Sequence, residues 1–243
     1  MWKMSNIIKQ GNMRKMAVLL VGVMILWGVS ACGKNSALEG KIVNGKGQPM
    51  AGIKVAAKQV QPIKGYEQFE TTTGSDGGFR FGKLFPTSEY ELITFSEVGT
   101  EAKRVKIESG PEGQTKMLPQ PMILRYRVSK EGVISDSQTG LEWFEGLGKD
   151  TNWNIARNWT AGLSVAGGGW RMPTRGELKT LYEKGMGKGN IDPIFKMSGT
   201  WVWSGEPYDS SSAWRFRFDG GEEAQSGRDA GFNGRAFGVR SRK

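Results

Sequence analysis

The residues of this chain best suited to chemistry are one cysteine, Cys32, and a run of arginines and tryptophans towards the C-terminal end. In Trp214-Arg215-Phe216-Arg217-Phe218 a strand would turn both arginines to one face and the three aromatic rings to the other, because side chains alternate along a strand. Two guanidinium forks on one face can hold sulfate or carboxylate groups bidentately. Arg228, Arg235, Arg240 and Arg242 follow, so the tail offers a basic patch for an acidic or sulfated glycan. The competing reading is a solvated face balanced by Asp219, Glu222, Glu223 and Asp229. Trp159 and Trp201 are the further candidate ligand contacts, since an indole face can pack on a sugar ring. Arg171 is expected to pair with a carboxylate such as Glu177, and Trp143, Trp170 and Trp203 are expected in the core.

No histidine occurs in 243 residues. That removes the usual general base, the commonest zinc ligand and the triads that need an imidazole. The carboxylates are scattered and no nucleophile and base pair stands out, so the expectation is a binding or scaffolding protein with no catalytic residue, metal site or cofactor. Asp76 could be a calcium ligand, but an aspartate before glycine is the ordinary signature of a turn.

Lys3, Lys9, Arg14 and Lys15 precede an uncharged stretch from Met16 to Ala31, the order of a secretory signal. A bilayer-spanning helix needs roughly 20 apolar residues, which makes a retained anchor helix the weaker alternative. The stretch closes in Val29-Ser30-Ala31-Cys32, which resembles the bacterial lipobox. The resemblance implies cleavage between Ala31 and Cys32 and acylation of Cys32, so that the membrane is a partner through the acyl chains. Two or more chains make such an attachment durable. Gly33 follows the cysteine, and the sorting rule for such proteins then favours the outer membrane of the envelope. The alternative is a plain secretory signal followed by a free cysteine. Export and the lack of a recognition motif also argue against a nucleic-acid partner. Removal of residues 1–32 takes away four basic and no acidic residues, which lowers the formal net charge from +10 to +6.

Tryptophan is absent from Gly33 to Tyr126 and occurs seven times afterwards, which places a boundary near 126. The expected division is a signal over 1–31, the lipidated cysteine and a tether over 32–37, and domains over 38–126 and 127–243. The first domain shows short alternating segments separated by turns, the pattern of a β-sandwich. Ile53, Val55 and Ala57 form one face, Phe79 and Phe81 flank Arg80, and Asn44-Gly45 and Asp76-Gly77 supply turns. In the second, Asn152 caps a helix from about Trp153, with Ala156, Thr160 and Leu163 at helical spacing. Thr174 and Glu177 form a capping box ahead of Leu178, Leu181 and Tyr182, and strands return at Trp201-Val202-Trp203 and beyond.

Two family resemblances follow from these residues. Gly40, Val43, Gly47, Pro49, Gly52, Val55, Thr73, Asp76, Gly77, Phe79, Phe81, Tyr90 and Leu92 resemble the carboxypeptidase regulatory-like family, which implies a seven-stranded, mostly non-catalytic sandwich. Thr139-Gly140-Leu141-x-Trp143, Trp170-Arg171-Met172-Pro173-Thr174, Glu177-Leu178, Trp203-Ser204 and Phe237-Gly238-Val239-Arg240 resemble the Lcl C-terminal domain family of bacterial surface proteins. That likeness implies a C-type-lectin-like fold with two helices. The fold class expected is therefore mainly β, a seven-stranded sandwich followed by an α+β domain. The formylglycine-generating relatives' catalytic cysteines are absent, and Glu206-Pro207-Tyr208 lacks the rest of the calcium-lectin signature. Together the residues point to an envelope lipoprotein that binds a glycan or surface protein through its C-terminal domain. The alternative is a structural spacer without a specific ligand.

Overall fold

The computed structural model describes residues 35–146 and 148–242, so Ala31 and Cys32 lie outside the described residues. The described residues belong to one compact unit. The architecture is mainly β, as the alternating segments led one to expect.

The first stretch contains β1 (Ser36–Val43), β2 (Lys54–Gln59), β3 (Gln68–Thr72), β4 (Gly78–Leu84), β5 (Glu89–Phe95), β6 (Glu101–Glu108), β7 (Thr115–Met117) and β8 (Met122–Ile123). One sheet runs β4-β1-β7, with β8 also on β1, and the other runs β3-β2-β5-β6. Leu38 and Ile42 of β1 and Phe79 and Phe81 of β4 pack with Val55, Tyr90 and Leu92 of the second sheet in one apolar cluster. Burial of these faces from water is what holds the two sheets together. Eight strands stand where seven were expected. The reason is local: β7 and β8 both run parallel to β1, on Ala37–Glu39 and Ile42–Val43 respectively. Pro119 and Pro121 lie between them and cannot donate to a ladder, so one return strand is broken into two.

The second stretch contains β9 (Tyr126–Val128), β10 (Ile134–Asp136), β11 (Leu141–Glu145), α1 (Trp153–Ala161), α2 (Arg175–Lys179), β12 (Trp201–Pro207), β13 (Ser212–Arg217), β14 (Glu222–Gly227), β15 (Gly234–Arg235) and β16 (Phe237–Ser241). Its sheets are β16-β11-β10-β9 and β14-β13-β12-β15. The last strand returns to β11, with Trp143 opposite Val239. Trp143, Val202, Phe216, Phe218 and Val239 form one cluster with Leu178 and Leu181, while Trp201, Trp203 and Ala213 pack with Trp153 and Ala156 of α1 in another. The sheet holding β12 and β13 is thus covered on both faces.

Asn152 caps α1, its side chain accepting from the Ile155 N–H, and the Thr174–Glu177 capping box is present in full. The helix after Thr174 is shorter than its apolar stripe suggests. It gives way at Thr180 to bonds from the Leu181 and Tyr182 N–H groups to residues three earlier, although Leu178 and Leu181 stay buried.

Candidate functional site

A groove of about 520 Å³ opens on the second stretch between α1, the segment before α2, β12 and the turn after β14. Trp153, Arg157 and Thr160 reach it from α1, Trp170, Arg171 and Met172 from the middle segment, and Arg228 from beyond β14. Its lining contains three arginines and no carboxylate.

Each wall has a local cause. The buried Trp153 donates its indole N–H to the Ser204 carbonyl at 2.9 Å, which fixes α1 to β12. Arg157 stands one turn further on and holds its guanidinium 5.5 Å from the Trp153 ring. Arg228 lies 4.6 Å from that ring and donates to the Ser212 and Asp209 carbonyls. Arg171 exchanges two backbone hydrogen bonds with Val239, at 3.0 and 2.8 Å, which attaches the middle segment to β16. Its fork closes on Glu177 at 2.8 and 2.6 Å. The indole N–H of Trp170 reaches the Val165 carbonyl, and Arg240 covers its ring at 4.3 Å.

These contacts set the electrostatics. Hydrogen bonding to Glu177 raises the Arg171 pKa. Burial pushes the Glu177 carboxyl up, but Arg171 and the Thr174 N–H more than offset it, so the net shift is downward. Arg157 is exposed, and its guanidinium has no ion-pair or hydrogen-bond partner among the described residues beyond the Trp153 ring. The groove therefore presents one uncommitted guanidinium, one tied to a carboxylate and one tied to carbonyls, over an indole floor. Such a surface can take an anionic group by charge-assisted hydrogen bonds. Among the described residues no cluster of three acidic or sulfur side chains could hold a metal ion. Glu206, the glutamate of the calcium-lectin comparison, accepts from the Arg175 backbone at 2.6 Å and from its side chain at 3.1 Å.

The four candidate ligand contacts Arg215, Arg217, Trp159 and Trp201 lie outside this groove. Arg215 and Arg217 do share a strand face, opposite Trp203 and Trp201 respectively on β12. α1 packs on that face at Trp201, Trp203 and Ala213, while Arg217 stays at the surface in ion pairs, so the face is not a free basic patch. Arg217 is committed to Asp219 and Glu222 at 2.8 and 2.9 Å. Arg215 rests on Trp201, its Nε atom is buried without a hydrogen-bond partner, and burial, reinforced by Arg217, pushes its pKa down. Trp201 is 4% exposed, so no ring face is left for a sugar. Trp159 is half-buried and stacks on Phe144, with centroids 6.4 Å apart. Trp143, Trp170 and Trp203 are buried, and Arg171 pairs with Glu177, both as expected. Arg228 was among the arginines of the expected basic tail and does line the groove, whereas no sequence signal separated Arg157 from other surface arginines.

Comparison with curated proteins finds no match. Among solved structures, the major pilin subunit BcpA of Bacillus cereus aligns at 12% identity over 37% of this chain and 29% of its own, with a TM-score of 0.29. A DUF3823 family protein from Parabacteroides merdae aligns at 19% identity over 46% of this chain and 57% of its own, with a TM-score of 0.29. The Yersinia pseudotuberculosis adhesin InvE aligns at 11% identity over 78% of this chain and 61% of its own, with a TM-score of 0.27. The chain thus spans under a third of the pilin it matches. Residues 132–238, which contain every groove residue named above, match the family model of the Lcl C-terminal domain.

Proposed function

We propose that the chain is a non-enzymatic envelope lipoprotein, anchored through Cys32, whose groove recognises an anionic group on a glycan or surface protein. The observation that carries this reading is the groove lining, in which Arg157, Arg171 and Arg228 meet without an acidic residue. The match to the Lcl C-terminal domain supports it, since that resemblance implies a surface protein with a C-type-lectin-like fold. In this reading residues 38–126 are a carboxypeptidase regulatory-like spacer and the outer membrane is the favoured location. The basic site expected at Arg215 and Arg217 moves to the groove, because those two side chains are occupied by Trp201, Asp219 and Glu222.

The test is binding of the mature chain to matched oligosaccharides carrying sulfate, carboxylate or neither. Retention of the charged members alone, weakening as salt rises, is the expected result. Equal binding of charged and neutral members, or none at low salt, would overturn the proposal.

A further inference from the structure

One end of the sandwich is built around Asn35. Its carbonyl accepts from the Gly113 N–H at 2.9 Å, and its side chain accepts from the Tyr66 hydroxyl at 3.1 Å. Tyr66 closes the loop that follows β2. This loop is tied inward at several points: Gln59, 1% exposed, accepts from the Ile63 N–H at 2.8 Å and donates to Ser88 at 2.8 Å. The Tyr66 ring meets Phe85 edge-on at 5.1 Å. Yet the aliphatic side chains of the same loop are not tucked in. Val60 and Ile63 are 38% and 39% exposed, and Pro62 between them is exposed too. A loop held firmly by its polar groups while presenting aliphatic ones outward suits an apolar medium beside it.

We propose that this loop rests on the bilayer that carries the chain's own acyl anchor, with Val60 and Ile63 entering the headgroup region. The inference depends on the reading of Cys32 as lipidated. Three peptide units separate Cys32 from Asn35. A chain spans at most about 3.6 Å per residue, so an acylated Cys32 keeps the backbone of Asn35, to whose side chain Tyr66 is bonded, within about 11 Å of the attachment point. Lys64, next to Ile63, can lay its stem along the apolar surface and keep its ammonium at the phosphate level. Glu67, Glu89, Glu108 and Glu112 lie at or near the same end, so the contact is apolar in character and not an attraction of basic residues to anionic lipid. The opposite end of β1 meets the second stretch, where Ser137 accepts from the Gly45 N–H at 2.8 Å. The eight residues of β1, at about 3.3 Å each, then hold the second stretch off the lipid while the loop fixes the tilt.

The test uses the full acylated chain in phosphatidylcholine vesicles, with an environment-sensitive fluorophore on a single introduced thiol. Ile63→Cys and Gln61→Cys place it on the loop, and Ile155→Cys on α1 serves as reference. Intact mass reads the acylation of Cys32 separately. Expected is several-fold stronger quenching by headgroup-level spin-labelled lipid at 61 and 63 than at 155, unchanged by salt. Equally weak quenching at all three positions, in protein whose mass shows acylation, overturns the contact and leaves the lipoprotein reading intact. A mature chain without acyl mass overturns that reading and this inference with it.

Discussion

The guanidinium of Arg215 lies 4.4 Å from the centre of the Trp201 ring. Gly234 lies against the same indole, where an added Cβ would come within 2.4 Å of it, and Trp203 meets it edge-on at 4.8 Å. Trp201 is therefore a slab in the wall of the fold, with a cation as its cover. A stacked guanidinium on an indole contributes attraction without needing a carboxylate, which is why Arg215 tolerates a buried, unpaired Nε.

This packing predicts that Trp201 reports on stability. Gly234→Ala drives a methyl group into a ring that has no room to move, and overpacking of this kind costs about 2–3 kcal/mol. Trp201→Ala removes the slab and should cost about 3–5 kcal/mol. Urea unfolding followed by tryptophan fluorescence measures both. A Gly234→Ala midpoint equal to wild type would show the ring to be free.

Two glycines with nearly the same φ separate strain from crowding. Gly47 and Gly77 have φ of 76° and 73°. A Cβ on Gly47 meets nothing within 4 Å, whereas one on Gly77 would lie 2.4 Å from the Ile42 carbonyl oxygen. Gly47→Ala should cost only the left-handed penalty, about 1–2 kcal/mol. Gly77→Ala adds a clash with backbone and should cost at least about 2 kcal/mol more. Similar midpoints for the two variants in urea would contradict the close approach of that turn to β1.

What was legible in the sequence was what short spacing determines. The capping box at Thr174 and Glu177, the Asn152 cap and the Arg171–Glu177 pair each join residues within one or two turns of each other. The Asp76-Gly77 turn was legible too, with Gly78 N–H bonded to Asp76 at 2.9 Å. The Asn44-Gly45 turn was found, but its left-handed residue is Gly47. Alternation correctly put Arg215 and Arg217 on one face. It could not say that α1, which starts at Trp153 about sixty residues earlier in the chain, would pack on the same face at Trp201, Trp203 and Ala213. The groove failed for the same reason: Arg157, Arg171 and Arg228 come from three elements, and only tertiary packing gathers them.

Acid should weaken the fold through Asp136, which is 1% exposed and accepts from Arg125 at 2.9 and 2.7 Å and from Thr139 at 2.8 Å. Burial raises its pKa, but the bonds from Arg125 and Thr139 outweigh this and hold it below the ordinary 3.8. A depressed carboxyl contributes stability that is complete above the unfolded value and is lost as the pH falls through the folded one. Asp136→Asn leaves the Arg125 fork without its counter-charge and should cost about 3 kcal/mol at neutral pH. The gap between wild type and variant should stay constant down to about pH 5 and narrow below the ordinary carboxylate value. A gap of the same size at pH 3 and pH 7 would show that the carboxylate charge is not the source of the stability.

The groove and the Arg217 strand face make opposite predictions for ligand binding. The Arg157 guanidinium has no carboxylate to leave, so an anionic oligosaccharide gains its fork at little cost. A charge-assisted hydrogen bond contributes roughly 1.5–3 kcal/mol, and Arg157→Ala should therefore weaken binding by about tenfold or more. Arg217 must first release Asp219 and Glu222, so Arg217→Ala should leave affinity unchanged within experimental error. Both positions are at the surface, so neither variant should disturb the fold, which a thermal midpoint would verify. The salt dependence should also flatten in Arg157→Ala, because an exposed guanidinium is screened over about 8 Å at physiological ionic strength and its removal takes away one such contribution. Titration calorimetry of the two variants and of wild type, at low and physiological salt, decides between the surfaces. A loss confined to Arg217→Ala would return the binding site to the strand face and empty the groove of its role.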